Sequence, residues 1–95
     1  MKFIVFWEYQ PETLDIVLKK LNKFKKEEAK NAEKYPAILT GPFLFTGESK
    51  GITICLADND EQIFSLYQYL HPELKMSFVP VMDTEEAKEF LLLGK

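Results

Sequence analysis

A chain of 95 residues with 46% apolar and 28% charged side chains has room for one sheet and two or three helices, and buries roughly 60–68% of its unfolded surface. All 12 basic residues are lysines, and the net charge is −3. With no guanidinium to grip phosphates or guanine edges, this composition argues against nucleic acid as a partner.

Cys55 and His71, the single cysteine and the single histidine, exclude an internal disulfide and leave soft metal ligands scarce, so no metal site and no cofactor is expected. No apolar run approaches the ~18 residues of a membrane span, and the N-terminus leads directly into a strand with no signal-peptide anatomy. The reading is a cytoplasmic protein with no membrane association, residues 1–95 forming a single domain.

Lys2–Tyr9 opens the chain as a strand. Its odd positions Phe3, Val5, Trp7 and Tyr9 and its even positions Ile4 and Phe6 are all apolar, so both faces need cover. Pro11 suits the first turn of a helix. Leu14, Val17, Leu18, Leu21 and Phe24 then share one helical stripe and define the buried face. Past Phe24 the stripe fails, because Lys25 and Glu28 fall inside its arc. Either the helix overhangs the sheet, held by solvent pairs such as Lys23–Glu27, or Lys25 and Glu28 stand at the rim of a pocket.

Tyr35-Pro36 stops this helix, and Ala37–Thr46 is extended. Gly41-Pro42 inside it marks an edge strand with a bulge or bend. A turn cluster at Gly47–Gly51 leads into the return strand Ile52–Ala57. There Ile52, Ile54 and Leu56 share one face, and the smaller Thr53, Cys55 and Ala57 share the other, leaving space for something bulky.

Asp58-Asn59-Asp60-Glu61 supplies capping oxygens and first-turn carboxylates for a second helix. Its core stripe is Ile63, Leu66, Tyr67 and Leu70, flanked by Phe64 and His71, with Tyr69 nearly opposite. His71-Pro72 ends it. Leu74–Asp83 forms the fourth strand, with Met76, Phe78 and Met82 on one face and Val79 and Val81 on the other; Pro80 assigns it to a sheet edge. A short C-terminal helix runs from the Asp83-Thr84-Glu85-Glu86 cap through Leu93 to Gly94. Its Ala87, Phe90 and Leu91 form a stripe, with Leu92 and Leu93 off it, and a surface helix so apolar usually meets a partner.

The element order matches a split βαβ arrangement with strands one and three central and strands two and four at the edges. The prolines in strands two and four agree with this independently of the hydrophobic pattern. Two helices can cover one sheet face; the chain has little left for the other, which is assigned to a second copy. Parity groups Trp7 with Phe3, Val5 and Tyr9 without deciding which face that is.

Met1-Lys2-Phe3, Trp7-Glu8, Pro11-Glu12, Gly41 and Phe78-Val79-Pro80-Val81-Met82-Asp83 before an acidic helix resemble a family catalogued only as a domain of unknown function, within the dimeric α/β-barrel superfamily. The likeness covers nearly the whole chain. It implies an α+β, ferredoxin-like βαββαβ fold with a four-stranded antiparallel sheet and a short C-terminal helix, forming a homodimer in which two sheets face each other. Relatives in the superfamily include cofactor-independent monooxygenases, isomerases, haem-binding proteins and ligand-sensing domains. Where many members carry an aromatic and a histidine after the glycine, this chain has Pro42-Phe43-Leu44.

His71 is the candidate general acid or base, and its alternative is a structural role at a helix C-terminus. Trp7, Tyr9 and Tyr67, with His71, are the candidate ligand-binding residues, as an aromatic wall or simply as core. Cys55 reads as a buried, unactivated thiol.

Three functions follow as expectations. The first is a homodimeric ligand-binding or regulatory protein with a small apolar or aromatic ligand between sheet and helices. The second is a cofactor-independent monooxygenase or isomerase acting on a small aromatic or quinone-like substrate. The third is a purely structural dimer engaging another protein through the Phe90–Leu93 helix.

Overall fold

The computed structural model describes residues 1–93. In chain order the elements are β1 (Lys2–Glu8), α1 (Leu14–Lys30), β2 (Ala37–Leu44), β3 (Lys50–Leu56), α2 (Asp60–Leu70), β4 (Lys75–Val81) and α3 (Thr84–Leu93). Single 3₁₀ turns at Pro11–Thr13 and Ala32–Lys34 flank α1. The strands form one four-stranded antiparallel sheet in the order β2-β3-β1-β4. This is the α+β, ferredoxin-like arrangement that the element order predicts, with both proline-bearing strands at the edges. Gly94, where the helix end was expected, lies outside the described residues.

The ladder resolves the parity of β1. Val5 pairs with Thr53 and with Phe78, Phe3 with Cys55, and Trp7 with Gly51 and Met76. These residues lie beneath the helices, where Phe3, Val5 and Cys55 are buried. Ile4 pairs with Ile54 and Val79, and Phe6 with Ile52, on the face that no helix covers. There Phe6, Leu56 and Val79 remain 42–43% exposed and Phe43 54%. Apolar on both sides, β1 is thus covered by its own chain on one side only.

Strand β3 begins at Lys50 rather than Ile52, drawing Gly51 out of the expected turn and into the ladder. The register of β2 shifts between Ile38 and Thr40 and again between Thr40 and Phe43. The bulge predicted from Gly41-Pro42 is therefore present, and Gly41 adopts φ +96°, a left-handed conformation that other residues rarely tolerate.

Both helices are rolled relative to their sequence stripes, toward each other. On α1, Val17 and Phe24 are buried, whereas Leu14 and Leu18, expected inside, are 39% and 50% exposed. On α2, Tyr69, expected nearly opposite the core, sits between the helices with its ring 5.3 Å from Phe24 and 6.4 Å from Tyr35. The cause is the cluster of large rings: Phe24, Tyr35 and Tyr69 meet in edge and tilted contacts that favour a shared interhelical core over separate contacts with the sheet. The roll leaves Leu14 and Leu18 facing the β2 side, where Ile38 and Leu44 are also half-exposed.

Candidate functional site

Trp7 and Tyr9 sit in the core between sheet and helices. The Trp7 indole lies across Gly51, where an added Cβ would come within 2.6 Å of its ring, and its Nε1–H donates to Thr53 Oγ1 at 3.1 Å. The small-residue face of β3 is therefore occupied by the chain itself: Trp7 lies over Gly51 and Thr53, while Phe3, Ile63 and Phe78 pack with Cys55 and Ala57. Tyr9, just past β1, packs against the Val17, Phe24 and Leu70 cluster. Burial raises the Cys55 thiol above its ordinary range, which keeps it neutral.

Tyr67 and His71 occupy the outer flank of α2. Their rings stack at 4.9 Å and 23°, and Phe64 extends the row at 6.4 Å from Tyr67. His71 is exposed and caps the helix, its backbone N–H donating to the Tyr67 carbonyl. Its own carbonyl accepts from Lys20 Nζ at 3.2 Å, and the same ammonium pairs with Glu73. That contact depresses the Glu73 carboxyl below its ordinary range. The fold thus packs Trp7 and Tyr9 against one core cluster and stacks Tyr67 on His71, and among the described residues no aromatic contact joins Trp7 or Tyr9 to Tyr67 or His71.

A cleft of about 700 Å³ lies elsewhere, where β2 begins, β3 ends and the C-terminal half of α1 passes over. Its apolar surface comes from Ala29, Ala32, Pro36, Ala37, Ile38 and Leu56. Lys25, Glu28, Glu33 and Asp58 add charge, so carboxylates outnumber ammonium groups around it. Of the two readings of Lys25 and Glu28, the structure realises the one that puts them at the wall of a cleft. Neither this cleft nor the shallower one beside Pro11, Leu44 and Lys50 is lined by Trp7, Tyr9, Tyr67 or His71.

Gln62 and Tyr35 organise the cleft, and the sequence reading missed both. Gln62 is 6% exposed; its Oε1 accepts from the Asp58 N–H at 2.7 Å and its Nε2 donates to the Glu33 carbonyl at 2.9 Å. One side chain therefore ties the loop after α1 to the start of α2. Asn59 caps that helix, accepting from the Gln62 N–H at 2.9 Å, as the capping run predicts. Tyr35 donates its hydroxyl to Glu27 at 2.6 Å, and Asn31 donates to the same carboxylate at 3.0 Å. The expected Lys23–Glu27 pair is replaced by these bonds. The Tyr35 hydroxyl, and then the Asn31 amide, hold the Glu27 carboxyl below its ordinary range. Burial first, and the Glu27 contact second, push the Tyr35 phenol well above its own.

Among the described residues no group of three His, Cys, Asp or Glu side chains is placed to hold a metal ion, and no helix is long and apolar enough to cross a membrane. What the cleft offers chemically is an open apolar bed with charged walls. No curated protein and no solved structure matches the chain. A family match covers residues 1–94, and on it the chain belongs to the family described as a domain of unknown function, DUF3303.

Proposed function

We propose that the protein is a homodimeric ligand-binding module of the dimeric α/β-barrel type, its two subunits stacked sheet to sheet. Each subunit holds a small, largely apolar or aromatic ligand in the cleft between α1, β2 and the start of α2. The observation that carries this reading is the uncovered sheet face. Ile4, Phe6, Ile52, Ile54, Leu56 and Val79 lie side by side on it, with no helix of the same chain above them. A continuous apolar surface of this kind is removed from water by a matching surface, and a second copy supplies one by symmetry.

Light scattering at micromolar concentration is expected to give the dimer mass. Phe6→Asp, which puts a charge in the middle of that face, should yield a folded monomer by circular dichroism and scattering. A wild-type monomer would reject the assembly. The ligand is tested separately by thermal-shift screening against small aromatic and quinone-like compounds: stabilisation should be lost in Ala29→Trp, which fills the cleft. Stabilisation that survives Ala29→Trp would place the ligand elsewhere, and no stabilising compound would reject the binding reading.

A further inference from the structure

We draw no further inference here: the strongest candidate, the exposed apolar surface of helix α3 formed by Phe90, Leu91 and Leu92, carries none, because nothing in the structure shows what covers it.

Discussion

Gly51 and Trp7 are a matched pair. With no side chain on Gly51, the indole lies flat across the ladder and its Nε1–H reaches Thr53. A Cβ there would sit 2.0 Å from the Phe43 carbonyl oxygen and inside the Trp7 ring contact, so the backbone of β2 would have to move. Gly51→Ala should therefore cost on the order of 3 kcal/mol, read from urea unfolding. A cost below about 1 kcal/mol would mean that the two strands separate easily. Glu27 gives a pH signature. Its carboxyl is held below the ordinary value of 4.5 in the folded state, so the folded state binds its proton less readily than the unfolded chain. The stability it contributes is present above about pH 4.5 and is lost as pH falls through the lower folded value. Glu27→Gln should accordingly be less stable than wild type at pH 7, with the gap closing in acid. A gap independent of pH between 7 and 3 would contradict the linkage.

At the scale of elements, the core is set by how the two helices roll. Aromatic contacts among Phe24, Tyr35 and Tyr69 draw α1 and α2 together, and the outer flank of α1 is left without cover over β2. The join between the end of α1 and the start of α2 depends on Gln62, whose amide serves the Asp58 N–H and the Glu33 carbonyl at once. Gln62→Ala strands both backbone groups in a largely dry site and should destabilise by about 1–3 kcal/mol. It should also speed amide exchange at Asp58, which a mere loss of packing would not do selectively. Unchanged exchange there would show that water replaces the side chain without penalty.

The whole molecule measures 51 × 33 × 18 Å with a radius of gyration of 15.2 Å, against about 12 Å for a compact domain of this length. One layer of helices on one sheet accounts for the thin dimension, and α3 leaves the body without packing against it. If the subunits associate as proposed, folding and association are linked by mass action. The thermal midpoint should then rise as protein concentration increases tenfold, measured by calorimetry. A midpoint independent of concentration would indicate a subunit that is stable alone.

The sequence by itself determined which segments are strands and helices, and the two edge prolines placed β2 and β4. These are local matters, decided by hydrophobic period, capping oxygens and the missing N–H of proline. The apolar residues on both sides of β1 also showed that one sheet face lacks cover from its own chain. Tertiary structure alone decided that Trp7 faces the helices, since period-two alternation groups residues without naming their side. It also decided the roll of α1 and α2, because contacts between distant rings such as Phe24 and Tyr69 override the stripe of either helix alone. The cleft was half legible: Lys25 and Glu28 interrupt an apolar stripe, a signal open to two readings. The burial of Gln62 left no trace in the pattern, because a polar side chain on a wheel reads as solvent-facing until the two loops it bridges are brought together in space.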